Sequence, residues 1–220
     1  MNQDLRKLNK NITDENPWEV FPGAFGNSKN NIKIVENFLE PEDLKKIQNF
    51  VKTINKWDNE KESEDYSDGP SKYSAPLWHN RLCSHEMIKE MDAEIYNLID
   101  LYLTKMEDSM NKNYNCKVKK RPPSIVCWRP GDFQVCHADK QILDGRPNAF
   151  PDYDLNSLFY INDDYHGGEL FYPQHYLKIK PRAGMAVSHP GDINYLHGVT
   201  PVLSNIRWVI PAFFSVIEFN

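Results

Sequence analysis

Apolar and polar positions follow two different rhythms along the chain, and the change comes near residue 114. Before it, apolar residues recur at spacings of three and four. In "EPEDLKKIQNFVKTINKW", Leu44, Ile47, Phe50, Val51 and Ile54 fall on one helical face. Pro41 suits the first turn, and Glu42 and Asp43 suit its electropositive end. "SHEMIKEMDAEIYNLIDLYLTKMEDSMNK" is the longest helix candidate, with Ser84 as cap and Ile88, Met91, Ile95, Leu98 and Tyr102 as its stripe. Its methionines read as core packing. "NIKIVENF" (31–38) reads as a short strand and residues 1–31 as otherwise irregular. The polar, acidic segment 58–74, "DNEKESEDYSDGPSKYS", reads as a loop, with a lid and plain disorder both open.

After residue 114, short apolar runs alternate with Gly, Pro, Asn and Asp. Strands are expected near 116–119, 123–129, 133–139, 156–162, 168–172, 176–180, 184–189, 195–200 and 206–217. Many short strands separated by turn signals point to a sandwich or barrel. Helices come first and strands later, which argues against a doubly wound parallel sheet. The expected fold is mainly β with flanking α-helices, the N-terminal helices packed on one sheet. There is no internal repeat, and residues 1–220 are taken as one domain, with 1–113 a helical support region and 114–220 the β core.

Charge narrows the partners. With 26 Lys and Arg against 31 Asp and Glu, the net charge is −5, the opposite of a general nucleic-acid binder. The basic run "KVKKR" (117–121) reads as a solvated strand edge. No segment approaches the roughly 20 apolar residues of a membrane span, and the polar start has no signal-peptide core. The four cysteines (Cys83, Cys116, Cys127, Cys136) form no CxxC pair and read as reduced thiols, which places the protein in the cytoplasm.

Candidate chemistry begins in "QVCHADKQ". Side chains alternate along a strand, so His137 and Asp139 share a face. One imidazole and one carboxylate are two legs of the 2-His-1-carboxylate set of non-haem Fe(II) oxygenases. Five other histidines lie in the helical half or in turn-like surroundings, or, for His189, before a Pro-Gly turn; His197 is at a strand start. On the residues alone, His189 and His197 both stay open as the third leg. Arg207, amid Ile206, Trp208, Val209 and Ile210, sits in a core-like strand. A buried guanidinium needs an anion, which is either an internal carboxylate or a dicarboxylate co-substrate.

Together, "HAD", "SLFYINDDYHGGELFYP" and "LHGVTPVLSNIRWVI" resemble the Fe(II)/2-oxoglutarate-dependent dioxygenases, and within them the prolyl 4-hydroxylase-like branch. The resemblance covers roughly residues 115 to 217. It implies a double-stranded β-helix (jelly roll), with His137, Asp139 and His197 as iron ligands and catalytic set, and so selects His197 over His189. It makes Arg207 the partner of the distal carboxylate of 2-oxoglutarate, with Tyr160 beside it and Leu170 against the co-substrate chain. Trp128, which the resemblance places with the co-substrate residues, stands where relatives often carry a tyrosine. "PAFFSV", with Phe213 and Phe214, replaces a tryptophan common near the substrate.

The implied cofactors are Fe(II), 2-oxoglutarate and O2, with ascorbate as reductant. The implied reaction hydroxylates an unactivated C–H bond of a peptidyl or free prolyl residue and releases succinate and CO2. The presence of Asp139 favours hydroxylation over halogenation. The expected partners are 2-oxoglutarate and a peptide or small-molecule substrate, without nucleic acid or membrane. Hydroxylation of another amino acid or small molecule, a cupin-like metalloprotein that does not use 2-oxoglutarate, and a non-catalytic jelly-roll module are the competing readings. "KQILDGRPNAFPDYD" (140–154) is expected to cover the site, with Arg146 and Tyr153 as substrate contacts.

Overall fold

The computed structural model describes residues 23–57, 80–148 and 150–219. The acidic segment 58–74 and the first 22 residues lie outside the described residues. The chain runs β1 (Lys33–Val35), α1 (Pro41–Val51), β2 (Leu82–Cys83), α2 (His85–Met91), α3 (Ala93–Asn113), β3 (Cys116–Lys120), β4 (Ile125–Trp128) and β5 (Gln134–His137). It continues through β6 (Leu155–Tyr160), β7 (His166–Gly167), β8 (Leu170–Tyr172), β9 (Leu177–Ile179), β10 (Ala186–Pro190), β11 (His197–Val199), β12 (Val202–Ser204) and β13 (Arg207–Phe219).

The strands form an antiparallel jelly roll. The larger sheet has the order β1-β10-β6-β13-β4-β2, with β3 also on β13; the smaller has the order β5-β11-β8-β9; β12 and β7 form a separate pair. Strand β13 is buried along most of its length because both faces of the larger sheet are covered. Its alternate residues Ile210, Ala212 and Phe214 join Leu155 and Phe159 of β6 against the helices, where Ile47, Phe50, Ile99, Leu103 and Met106 complete one core. Val209 instead joins Tyr160, Val126 and Val187 in a second core, closed from the other side by Leu170, Tyr172 and Val199 of the smaller sheet. The period of two thus sorts each strand into a helix-facing set and a barrel-facing set.

The longest predicted helix is two helices. Asp92 breaks it with extended dihedrals (φ −160°, ψ 100°), and its carboxylate accepts from the N–H groups of Glu94 and Ile95 at 3.0 Å, capping α3. Ser84 caps α2 as expected, accepting from Met87 N–H at 3.4 Å. The break resets the helical rotation, so the predicted stripe does not continue through it. Met91 is exposed, and the face of α3 that enters the core carries Ile95, Ile99, Tyr102, Leu103, Met106 and Met110. The Tyr102 hydroxyl accepts from Glu40 N–H and donates to Asp43, each at 3.0 Å, which locks α3 to the start of α1.

Helix α1 stops at Val51, earlier than its pattern suggested, although Ile54 is still buried. The strand expected over 168–172 is interrupted between β7 and β8, and the short β2 and β12 were not anticipated. None of the four cysteines is in a disulfide. Among the described residues no helix is long and apolar enough to cross a membrane.

Candidate active site

Strands β5 and β11 pair with His137 opposite His197, which puts their ring centroids 4.4 Å apart. The strand β5 ends at His137, so alternation alone does not carry Asp139 to the same side, contrary to the expectation of one strand over 133–139. Instead, Asp139 N–H donates to the Gly191 carbonyl at 2.9 Å, and this anchor turns the carboxylate back between the imidazoles. His137 Nε2 lies 3.6 Å from Asp139 Oδ1, and His197 Nε2 lies 3.6 Å from Oδ2. One ligand atom from each of the three residues falls within 4.8 Å of the others.

Backbone carbonyls set the ring orientations. Val135 O is 3.1 Å from His137 Nδ1 and Tyr195 O is 3.0 Å from His197 Nδ1, so each Nδ1 carries the proton and each Nε2 faces the carboxylate. The Gln134 amide sits 2.9 Å from His137 Nε2, a hydrogen bond that a metal ion would replace.

The three groups are unequal in charge. Burial opposes ionisation of Asp139, but the imidazoles of His197 and His137 outweigh it and hold its carboxyl well below the usual range. Burial pushes His197 down to about 3, against the pull of Asp139. Burial also works against a charged His137, yet the hydrogen bond and charge of Asp139 prevail and raise it. Two imidazoles and one ionised carboxylate converging on one point form a donor set that fits Fe(II).

His189, the other histidine left open by the sequence, is buried beside the set. Its ring is 4.4 Å from that of His197 and its Nδ1 donates to Pro190 O at 3.0 Å, but it is not one of the three converging residues. Asn156 on β6, which sequence reasoning missed, donates from Nδ2 to Asp139 Oδ2 at 2.6 Å. Its parity with Leu158 and Tyr160 along the strand was the available signal.

Further into the same cavity lies Arg207, only 1% exposed. Its Nε, Nη1 and Nη2 find no hydrogen-bond partner in the protein. The guanidinium carbon sits 5.4 Å from the Trp128 ring and 5.2 Å from the Tyr160 ring. The hydroxyls of Tyr160, Tyr165 and Tyr172 and the indole N–H of Trp128 are also buried without partners. Burial pushes the Tyr160 phenol up to about 12, so it stays a donor. A buried cation and a cluster of donors without an acceptor are costly. Of the two readings of Arg207, the internal carboxylate is absent among the described residues, and an anionic ligand is what the pocket fits. Leu170 of β8 lines the cavity between the two ends.

The Gly-Gly pair of the motif has a steric reason. Gly167 and Gly168 have φ of +72° and +64°, and a Cβ on Gly168 would lie 2.9 Å from Arg207 Cδ and 3.1 Å from Tyr165 Cε2. Only glycine lets the turn pass this close over the arginine.

At the mouth, Phe213 stacks on Tyr153 at 4.2 Å, and Tyr153 stacks on Phe150 at 4.8 Å, joining the cavity wall to the 140–154 segment. That segment is tied down by Lys140–Asp154 (2.6 Å) and by Asn148 Nδ2 to Asp139 O (2.9 Å). Arg146 bonds Asp144 at 2.7 Å and does not line the cavity, whereas Phe213 does. Phe214 points the other way, into the helix-facing core.

Residues 123–215 match the family model described as the 2OG-Fe(II) oxygenase superfamily. Human prolyl 3-hydroxylase 2 is 30% identical over 92 residues, 36% of this chain, and human prolyl 3-hydroxylase 3 is 32% identical over 83 residues, 32% of this chain. The chain covers only 13% and 11% of those relatives' own lengths. Among solved structures, a prolyl hydroxylase from Trichoplax adhaerens in complex with a hypoxia-inducible-factor peptide superposes with a TM-score of 0.61 at 17% identity, over 85% of this chain and 84% of that one. A viral collagen prolyl hydroxylase from Paramecium bursaria Chlorella virus-1, in its 2OG complex, gives 0.58 at 16% identity, over 86% and 97%. A Pseudomonas putida prolyl-4-hydroxylase gives 0.56 at 16% identity, over 84% and 92%. At these identities the likeness is one of fold.

Proposed function

We propose that this chain, whose residues 123–215 match the 2OG-Fe(II) oxygenase superfamily, is an iron- and 2-oxoglutarate-dependent hydroxylase of prolyl residues, peptidyl or free. The observation that carries the reading is one cavity that holds both a His-Asp-His set and a buried arginine without an anion. His137, Asp139 and His197 would hold Fe(II). Arg207 and Tyr160 would hold the distal carboxylate of 2-oxoglutarate, and Leu170 would pack against its chain. When bound, the metal, co-substrate and O2 supply the oxidising chemistry, with succinate and CO2 as by-products and ascorbate as reductant.

The chain's own residues do the positioning. Tyr195 O fixes the His197 tautomer, and Asn156 fixes the Asp139 carboxylate. Arg207 presents a planar fork that fits a carboxylate with two charge-assisted hydrogen bonds. Val126, Val199 and Val209 form dry walls between the two ends. Pro211 and Phe213 give the open end an apolar wall suited to a saturated ring, and the prolyl hydroxylases among the fold's neighbours support that choice. The 140–154 segment, with Tyr153 stacked on Phe213, would contact substrate, and the whole chain would act as one unit with its helices bracing the larger sheet.

Anaerobic addition of Fe(II) and 2-oxoglutarate tests the first step, since bidentate binding gives a weak visible charge-transfer band. Absence of the band refutes the reading. A succinate-release screen with proline-containing peptides, free amino acids and nucleosides then tests the substrate. Release that responds only to compounds without a prolyl ring overturns the prolyl assignment alone. Unchanged 2-oxoglutarate consumption in Arg207→Ala favours a cupin-like metalloprotein.

A further inference from the structure

We propose that Tyr165 is a third donor to the distal carboxylate of 2-oxoglutarate, so that this chain grips the group with one guanidinium and two phenols; the inference rests on the co-substrate reading above. Tyr165 is 5% exposed, and its hydroxyl has no partner in the protein. Its ring and the Arg207 stem meet at one point, since Gly168 lies against both.

The turn that carries Tyr165 is fastened to the strand that carries Arg207. Asn162 Nδ2 donates to Ile206 O at 2.7 Å, and Asn162 Oδ1 accepts from Trp208 N–H at 2.8 Å. Asn205 Nδ2 donates to Asp164 O at 2.6 Å. These bonds flank Arg207 on both sides, so the phenol is held beside the guanidinium rather than free to swing away.

A carboxylate offers about four lone-pair directions. The Arg207 fork takes two, which leaves room for the Tyr160 and Tyr165 hydroxyls. Burial also raises the Tyr165 phenol above its ordinary value, which keeps it a donor. A buried hydroxyl without an acceptor destabilises the empty protein, and an arriving carboxylate recovers that loss.

Tyr165→Phe removes one oxygen and leaves the ring. The probes are 2-oxoglutarate and 2-oxopentanoate, the same chain without the distal carboxylate, titrated calorimetrically into protein loaded with Zn(II) instead of iron. The 2-oxoglutarate Kd should rise roughly tenfold or more, as expected for a lost hydrogen bond to a charged group, and 2-oxopentanoate binding should not change. In the iron enzyme, KM for 2-oxoglutarate should rise while kcat holds. The Tm of the empty variant should stay level or increase, while the increment added by 2-oxoglutarate shrinks. A purely structural tyrosine would lower the empty Tm and leave that increment intact. If 2-oxoglutarate binds wild type, depends on Arg207 and binds Tyr165→Phe within twofold of wild type, the inference falls and the co-substrate reading stands. If wild type does not bind 2-oxoglutarate, both fall.

Discussion

Replacing Gly168 with alanine tests whether the Gly-Gly turn exists to shape the anion end of the cavity. The new methyl would lie 2.9 Å from Arg207 Cδ, 3.1 Å from Tyr165 Cε2 and 3.3 Å from Val202 Cγ2, at a φ of +64°. The left-handed backbone costs about 1–2 kcal/mol for a residue with a Cβ, and overpacking of this kind costs about 1–3 kcal/mol. The turn has little room to retreat, because Gly168 N–H donates to Pro201 O at 3.1 Å and Glu169 N–H donates to Thr200 Oγ1 at 2.9 Å. Relief therefore comes from the arginine, whose fork shifts off its line. Gly131→Ala is the control: its φ is +96° but nothing lies within 4 Å of its Cβ position. Urea unfolding should show Gly168→Ala to be less stable than Gly131→Ala by about the packing cost, 1–3 kcal/mol. Calorimetry should show 2-oxoglutarate affinity reduced roughly tenfold to a hundredfold in Gly168→Ala only. Equal destabilisation of the two variants with unchanged affinity would refute the steric argument.

The remaining predictions concern the metal set and the arginine. His137 lies above its ordinary value and His197 is pushed down to about 3, so at pH below the His137 value a metal would displace one proton, from His137. As pH falls through the His137 value, log affinity for Zn(II) should drop by about one unit per pH unit, and a slope of two would show that His197 titrates there as well. Asn156→Ala frees the Asp139 carboxylate from its 2.6 Å hydrogen bond and should weaken metal binding by about 10- to 100-fold, measured by competition with a chromogenic chelator; an unchanged affinity would remove Asn156 from the site. Arg207→Met should abolish 2-oxoglutarate binding while leaving the empty protein as stable as wild type or more so, because a buried cation without an anion is replaced by an apolar chain; a clear loss of stability in thermal unfolding would point to an internal partner.

The β half was more legible in the sequence than the helical half, for a physical reason. A strand declares itself by alternation and by the turn residues around it, and the expected strands near 156–162, 184–189 and 206–217 correspond to β6, β10 and β13. A helix pattern is less informative about where it stops. Asp92 is a strong cap, but within a run whose apolar spacing continues on both sides it is masked, and one helix was expected where two form. The convergence of His137 and Asp139 was read correctly for a reason that is only half right. Alternation holds to the end of β5, and a bond to Gly191, far along the chain, does the rest.

Side chains that act through others were the hardest to see. Asn156 reaches the His-Asp-His set from β6 and Gln134 reaches it from within β5, each by a hydrogen bond, and Tyr165 reaches Arg207 from a turn where no periodicity points inward. Register converts these scattered positions into an order. Along β6 and β13 the cross-strand pairs run Asn156–Phe213, Leu158–Pro211 and Tyr160–Val209. The four residue steps from Asn156 to Tyr160 span roughly 13 Å of strand. At the outer rung Asn156 touches the Asp139 carboxylate beside the aromatic mouth; at the inner rung Tyr160 stands against the guanidinium. The barrel therefore separates two demands on one cavity. The His-Asp-His set lies toward the aromatic end at Phe213, and the buried guanidinium without an anion stands toward the other. On the proposed function, changes at Phe213 or in 140–154 should alter substrate choice without disturbing the anion site at Arg207.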